Sequence, residues 1–290
     1  MPITGTTQLL GVIGDPVAHS LSPVMHNAAL AELGIDYVYV AWPVTPGGLE
    51  AAIAGFAATG VRGFNITIPH KQAILPLLAE VTPEAQAVGA VNTVWRTEQG
   101  WVGTNTDVAG FIAPLQGLKD WSGGTALVLG NGGAARAVVA GCGQLGFASV
   151  QVVGRSPSKR VDFEQSWAHS PLQPPLTVHS WDTLATLLPT ANLVVNTTPI
   201  GMHSLPATAL QTPLTAEHLA LVPATAVVYD LIYTPRPTPL LRLASQRGLV
   251  ALDGLEMLVQ QGAAALELWL QHPVPVATMR QALVNGLDKR

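Results

Sequence analysis

The chain is poor in cysteine and in long hydrophobic segments, and each shortage excludes a class of protein. Cys142 is the only cysteine in 290 residues, so the sequence excludes a disulfide framework, and we expect Cys142 to pack as a small apolar residue on a helix. No His, Cys and Asp spacing indicates a metal site. The chain has no apolar run of membrane-spanning length, and its amino terminus lacks the charged region and apolar core of a signal peptide.

Charge is also scarce. Lys, Arg, Asp and Glu make up 11% of the residues, the net charge is −4, and no sustained basic run offers a nucleic-acid surface. By contrast, 48% of the residues are hydrophobic, which supports a substantial core and argues against disorder. We therefore expect a folded, soluble, cytoplasmic protein without a nucleic-acid or membrane partner. The length suits two modest domains or one large α/β domain.

The order of apolar runs predicts two α/β halves. In the first half, strands are predicted at 9–14, 37–42 and 63–68, followed by a hairpin-like pair at 90–95 and 100–103. In the second half, strands are predicted at 126–130, 150–154, 177–179, 193–196, 227–230 and 249–251. Helical patterns separate most of the second set, as a doubly wound parallel sheet requires. Two final helices, at 254–269 and 275–287, are expected to return to the first half.

The most informative segment is the turn that follows the strand ending at Leu129. Gly130, Gly132 and Ala135 fill the dinucleotide-binding pattern G-x-G-x-x-(G/A) between a strand and a helix. The first glycine allows the tight turn, the second admits a pyrophosphate, and the helix N-terminus offers free N–H groups. The alternative interpretation is an ordinary glycine turn. It is the weaker one, because a strand precedes these glycines and a helix follows them.

The end of the next strand indicates which dinucleotide is bound. An NAD site has an acidic residue here for the ribose 2′-hydroxyl, but this chain has Arg155, Ser156 and Lys159. Cations and a hydroxyl suit a 2′-phosphate, so the sequence predicts NADP. A solvated basic turn is the alternative.

Several motifs, in the same order over the whole length, resemble the shikimate dehydrogenase family. They lie at 14–23, 65–71, 89–93, 103–107, 130–136, 196–202 and 253–261. The resemblance implies an N-terminal α/β substrate domain formed by 1–106 plus 253–290 and a Rossmann NADP-binding domain at 107–252, around a deep cleft. Two departures stand out: Thr198 replaces a serine, and Gly154 replaces the asparagine that typically precedes the arginine, which costs one contact to the adenosine end.

The resemblance implies that Lys71 and Asp107 form an acid–base dyad. Reducing a ketone by hydride leaves an alkoxide that needs a proton, and a lysine beside the carbonyl can stabilise the charge and deliver that proton. An adjacent carboxylate would orient the lysine. A surface salt bridge is the alternative for the pair, and Asp107 is equally suited to the first turn of a helix.

The resemblance also assigns the substrate contacts. Ser20 and Ser22, with Tyr233 as a third donor, would bind the shikimate carboxylate, although Ser22 before Pro23 also suits a helix N-cap. Asn65, Thr67, Asn92 and Gln261 would hydrogen-bond the ring hydroxyls. Considered singly, each suits a turn cap equally well. His19 and His70, beside matched residues, are interpreted as structural or as part of the pocket wall.

The remaining expected contacts are with the cofactor. They comprise the glycine turn, the basic turn, the end of the fourth strand and the segment expected to line the nicotinamide pocket: Gly130, Asn131, Gly132, Gly133, Ala134, Ala135, Arg155, Ser156, Lys159, Thr197, Thr198, Ile232, Gly254 and Met257. Core packing is the alternative for Met257.

The implied activity is the reversible NADPH-dependent reduction of 3-dehydroshikimate to shikimate, a step of aromatic amino-acid biosynthesis. A quinate or dual-specificity enzyme using NAD is the nearest rival, against which Ser20, Ser22 and Arg155 argue. From another class, a catalytically silent NADP-binding module remains open, because a fold does not determine a function. A homodimer is one candidate assembly, and the sequence does not determine the oligomeric state.

Overall fold

The computed structural model describes residues 2–168, 170–202 and 210–288. It divides the chain into two compact units. The first contains the chain up to Gly110 and again from Val259, and the second is Phe111–Leu258. The chain passes between them inside α5 (Asp107–Ile112) and again inside α11 (Leu255–Leu270).

The first unit is built on a mixed sheet. Its strands are β1 (Gln8–Gly14), β2 (Tyr37–Pro43), β3 (Gly63–Ile66), β4 (Glu80–Val81), β5 (Thr93–Thr97) and β6 (Gly100–Thr104). The strand order is β2-β1-β3-β5-β6-β4. β5 is antiparallel to both β3 and β6, which confirms the predicted hairpin-like pair, and the other pairs are parallel. β4 was not predicted because a two-residue strand has no readable period.

The first unit also contains helices, some of which contact the sheet. They are α1 (Ser22–Leu33), α2 (Leu49–Ala58), α3 (His70–Ala73), α4 (Pro83–Val88) and α12 (Val276–Leu287), besides the parts of α5 and α11. α12 packs against α1, so the carboxyl-terminal chain returns to the first half as predicted. Phe56 of α2 lies 4.6 Å from the Trp42 ring and 5.2 Å from that of Phe64. These ring contacts join α2 to the apolar face of the sheet.

The second unit is a doubly wound parallel sheet, as predicted. Its strands are β7 (Thr125–Leu129), β8 (Ser149–Gly154), β9 (Leu176–Ser180), β10 (Leu193–Asn196), β11 (Val227–Asp230) and β12 (Val250–Leu252). They are all parallel, in the order β12-β11-β10-β7-β8-β9. The order reverses between β7 and β10, and a ligand crevice opens at the carboxyl ends of strands at such a point.

The helices between these strands are α6 (Gly133–Gln144), α7 (Pro157–Gln165), α8 (Leu184–Leu187), α9 (Ala216–Ala220) and α10 (Pro239–Gln246). Cys142 is fully buried in α6, where burial raises the pKa of the thiol, so it packs as a small apolar side chain as expected. No helix in the described part of the chain is both long and apolar enough to span a membrane.

A buried carboxyl at the end of β11 makes the stability of the second unit depend on pH. Asp230 accepts hydrogen bonds from Asn196 Nδ2 at 2.9 Å and from Thr238 Oγ1 at 2.7 Å. Burial nevertheless raises its pKa to about 6. Since the folded pKa lies above that of the unfolded chain, the folded state holds its proton more tightly. The contribution of Asp230 to stability is therefore complete below pH ~4 and is lost as the pH rises through about 6.

We predict that Asp230→Asn removes this dependence. The unfolding free energy of the wild type, relative to that of the variant, should fall by about 2–3 kcal/mol between pH 4 and pH 7. Denaturant unfolding across that range measures the difference. Asp162→Asn, on the exposed side of α7, is the matched control. Equal pH dependence in the wild type and Asp230→Asn would contradict the prediction.

Candidate active site

Lys71 and Asp107 form an ion pair at one edge of the first sheet. Lys71 lies in α3, shortly after β3, and Asp107 is the first residue of α5, shortly after β6. β3 and β6 both pair antiparallel with β5, so their carboxyl ends meet at the same edge. Lys71 Nζ donates a hydrogen bond to Asp107 Oδ2, and the two side chains are only 17% and 10% exposed. The pair is therefore largely removed from water, unlike a surface salt bridge.

Asp107 is both the ion-pair partner of Lys71 and the first residue of a helix. Its second oxygen, Oδ1, accepts a hydrogen bond from Asn92 Nδ2 at 2.8 Å. Its backbone N–H donates to Asn105 Oδ1 at 3.0 Å, at the start of α5. The carboxylate is thus the partner of Lys71 and also the acidic residue of a helix's first turn.

Asn92 connects this pair to the other polar residues. Its Oδ1 accepts from the backbone N–H of Thr106 at 2.7 Å, and its Nδ2 lies 3.4 Å from Gln261 Oε1. Asn65 Nδ2 in turn donates to the Asn92 carbonyl at 3.1 Å and to Thr93 Oγ1 at 3.0 Å. Asn65, Asn92 and Gln261, which the sequence grouped by resemblance alone, therefore lie in one network.

The network continues to the start of α1 through Tyr39. The Tyr39 hydroxyl donates to Asn65 Oδ1 at 2.7 Å. Burial raises the pKa of Tyr39 well above its ordinary value, opposed in part by a hydrogen bond with the Ser22 side chain. Ser20 Oγ accepts from the backbone N–H of Ser22 at 3.2 Å. The cap of α1 is Leu21, without a side-chain hydrogen bond, so the alternative of Ser22 as the N-cap is wrong.

Histidine side chains serve as packing groups around this network. His26, fully buried, stacks on Tyr39 with ring centroids 4.1 Å apart, and burial lowers its pKa to about 3, so it is neutral. The Nε2 atom of His70 lies 2.6 Å from the Val44 carbonyl, in keeping with a structural role. Thr67 is half-buried between β3 and Lys71, and its backbone N–H donates to the Ile13 carbonyl at 2.9 Å.

Tyr39, Thr93 and Thr106 also belong to the network, which the sequence did not predict. The signal for Thr93 and Thr106 was present, since both lie inside matched motifs, next to Asn92 and Asp107. Tyr39 lies in an apolar strand, where a tyrosine is indistinguishable from a core residue until its hydroxyl acquires a partner.

The glycine turn of the second unit has the shape expected for phosphate binding. Gly130 has φ +103, and a Cβ there would lie 2.8 Å from Thr197 Oγ1 and 2.9 Å from Thr198 Cγ2. Thr197 and Thr198 thus lie directly against the turn, where β7 and β10 diverge. At Gly132 and Gly133 a Cβ would meet nothing within 4 Å, so the backbone is open to a ligand.

Helix α6 begins at Gly133 without a side-chain cap. Its first turn, which includes Ala134 and Ala135, therefore keeps N–H groups for a phosphate.

The end of β8 carries the cations that the sequence singled out. Arg155 and Lys159 are exposed, while Ser156 caps α7 by accepting from the Lys159 backbone N–H at 3.5 Å. Two exposed cations and a hydroxyl beside a phosphate-binding turn fit a dinucleotide with a 2′-phosphate better than one with a 2′-hydroxyl.

Gly254, another residue predicted to contact the cofactor, meets the segment that follows β11. Ile232 and Met257 are buried, and the backbone N–H of Gly254 donates to the Ile232 carbonyl at 3.2 Å. A Cβ at Gly254 would lie 2.0 Å from the Leu231 carbonyl oxygen, so only glycine allows this approach. Tyr233 follows Ile232 in the second unit, whereas Ser20 and Ser22 belong to the first.

This fold and these residues define a class of protein. A parallel sheet in Rossmann order with an open glycine turn is a dinucleotide-binding unit, and a shielded Lys–Asp pair among amides and hydroxyls is suited to acid–base chemistry. The chain is therefore a two-unit α/β dehydrogenase.

Comparisons with known proteins identify the family within this class. The family model described as the shikimate dehydrogenase substrate binding domain matches residues 12–94, and the model of the shikimate 5′-dehydrogenase C-terminal domain matches residues 254–284. The shikimate dehydrogenase (NADP(+)) of Trichormus variabilis is 62% identical over 288 residues, covering 98% of this chain and 99% of the relative. The chain belongs to the shikimate dehydrogenase family.

Solved structures agree with this assignment. A shikimate dehydrogenase in complex with NADP⁺ superposes with a TM-score of 0.89 at 34% identity, covering 99% of this chain and 98% of the other. The shikimate 5-dehydrogenase of Thermus thermophilus, in complex with NADP(H) and shikimate, gives a TM-score of 0.82 at 37% identity, covering 97% of this chain and 100% of the other.

Proposed function

We propose that this protein catalyses the reversible NADPH-dependent reduction of 3-dehydroshikimate to shikimate in aromatic amino-acid biosynthesis. The observation that carries the proposal is the continuous hydrogen-bonded network of the first unit. It joins Lys71 and Asp107 to Asn92, Asn65 and Gln261. A substrate with several hydroxyl groups and one reacting carbonyl needs such a combination of donors, acceptors and a proton-transferring group.

Lys71 performs the acid–base step in this proposal. NADPH, when bound, supplies hydride to the carbonyl carbon. The Lys71 ammonium stabilises the negative charge that develops on the carbonyl oxygen and donates a proton to that oxygen. In the oxidation direction, the Lys71 amine takes the proton from the hydroxyl. Asp107 holds Nζ in place through Oδ2, and Asn92 holds Asp107 through Oδ1.

The other predicted residues bind and orient the two reactants. Asn65, Thr67, Asn92 and Gln261 would hydrogen-bond the ring hydroxyls, and Ser20, Ser22 and Tyr233 the carboxylate. The glycine turn, Thr197 and Thr198 would hold the pyrophosphate end of NADP, Arg155, Ser156 and Lys159 its 2′-phosphate, and Ile232, Gly254 and Met257 the nicotinamide. Residues 1–106 plus 253–290 would form the substrate domain and 107–252 the NADP domain.

A direct assay tests the proposal. We expect rapid reduction of NADP⁺ by shikimate, followed by the near-ultraviolet absorbance of the reduced nicotinamide, and slow or no reduction when NAD⁺ or quinate is substituted. Preference for quinate and NAD⁺ would favour the rival enzyme. If folded protein reduced neither cofactor but bound NADP⁺, the silent binding module would replace our proposal.

The proposal also covers the setting of the enzyme. We place it in the cytoplasm, with a homodimer as one of two candidate assemblies. Sedimentation velocity distinguishes the homodimer from a monomer.

A further inference from the structure

Position 154, at the end of β8, has no side chain, and the space beside it is filled by a residue of the glycine turn. A Cβ on Gly154 would lie 2.9 Å from both Cγ and Oδ1 of Asn131. The two segments are held together by the pairing of β7 with β8, which continues as a hydrogen bond from the Gly130 N–H to the Val153 carbonyl at 2.9 Å. The Asn131 carboxamide therefore covers the carboxyl end of β8.

The donor of that carboxamide is buried and has no hydrogen-bond partner. Nδ2 of Asn131 is shielded from solvent and donates to no group in the described part of the chain. An unused buried donor is costly, because the amide has lost its water without gaining another acceptor. Such an atom beside a phosphate-binding turn indicates a ligand that supplies the acceptor.

The surroundings of Nδ2 favour an anionic acceptor. Arg155, directly after Gly154, and Lys159, in the first turn of α7, are both exposed cations. Arg160 Nη1 donates to the Gly154 carbonyl at 2.9 Å and to the Arg155 carbonyl at 3.3 Å. Arg160 therefore holds the turn that carries Arg155. The carboxyl end of the second Rossmann strand is also where the ribose 2′ substituent is recognised.

From these contacts we infer that the Asn131 side chain donates a hydrogen bond to the 2′-phosphate of the cofactor, from a position that exists only because residue 154 is glycine. The inference rests on the proposed NADP-dependent function and adds a determinant of its cofactor specificity. It also accounts for the glycine at position 154, where the resemblance to the family led us to expect asparagine. A donor from the glycine turn takes the place of one from position 154.

Calorimetric binding of adenosine 2′,5′-bisphosphate and of 5′-AMP to the full chain tests the inference without turnover. Asn131→Ala should weaken bisphosphate binding about tenfold and change 5′-AMP binding less than about twofold. Gly154→Ala should cause a similar selective loss, since its Cβ displaces the carboxamide. The double variant should lose about tenfold, not about a hundredfold, because both changes remove one contact.

The controls separate this contact from a general effect. Gly143→Ala, in helix α6 of the same unit, adds a Cβ whose nearest neighbour is Pro174 at 4.0 Å and should bind both ligands like the wild type. Any of three results would overturn the inference. They are unchanged bisphosphate binding in Asn131→Ala, equal losses of affinity for both ligands, and a loss of about a hundredfold in the double variant. If the wild type itself did not bind the bisphosphate, the proposed function would fail instead.

Discussion

Replacing Lys71 by alanine is expected to abolish turnover while NADP affinity stays nearly unchanged. The partner of Lys71 in our proposal is the carboxylate of Asp107, which cannot stabilise a developing negative charge. Loss of the proton donor and of its positive charge should lower kcat by about a thousandfold or more. Steady-state kinetics with shikimate and NADP⁺, together with calorimetric NADP⁺ binding, measure the two quantities on one protein.

One further variant and a rescue experiment test the assignment. Asp107→Asn preserves the size of the side chain and its hydrogen bond with Asn92 but removes the ion pair, so its kcat should fall by about a hundredfold. Added methylamine should restore part of the activity of Lys71→Ala and none of that of Asp107→Asn, since only the former has lost an amine. Turnover that survives in Lys71→Ala would show that another group transfers the proton.

Removing both cations that follow β8 should raise the KM for NADP⁺ much more than the KM for NAD⁺. Arg155 and Lys159 are exposed, so each contact with a 2′-phosphate is partly screened by solvent and is worth about 1–1.5 kcal/mol rather than the full value of a buried charge. Arg155→Ala/Lys159→Ala should therefore raise the KM for NADP⁺ about a hundredfold. The KM for NAD⁺, which has no 2′-phosphate, should change little.

The matched control is Arg242→Ala. Arg242 is also exposed in the second unit, but its guanidinium contacts the Pro237 carbonyl at 3.0 Å. Its removal should leave the KM values for both cofactors unchanged. The contrary result is an equal rise in the KM values for NADP⁺ and NAD⁺ in the double variant at positions 155 and 159. That result would mean that these residues support the turn and do not recognise the phosphate.

Local patterns in the sequence were enough to predict the second unit. Its strands are short apolar runs between helical patterns. The conformation of a strand–glycine turn–helix segment such as 127–136 follows from its own residues. Helix boundaries were less exact. The final helices, predicted at 254–269 and 275–287, span Leu255–Leu270 and Val276–Leu287, because the end of a helix depends on how its unpaired backbone groups are satisfied.

Contacts between distant segments were not readable in the same way. Ser22 was equally suited to cap α1 or to face a ligand, and the structure rejects only the capping role, with Leu21 at the cap position. Tyr39 resembled any core aromatic residue until its hydroxyl met Asn65, 26 positions along the chain. Such choices depend on which strands become neighbours in the sheet.

The sequence by itself determined the order of strands and helices, the glycine turn and the basic turn, because each depends on neighbours within one strand, turn or helix, whereas the candidate polar residues came from the resemblance to a family. Only the tertiary structure decided that Lys71 meets Asp107, that Asn92 connects them to Asn65, and that Asn131 fills the space beside Gly154. It also decided that burial raises the pKa of Asp230 to about 6. Strand order and register bring these side chains together and remove them from water, and neither is encoded by any single segment.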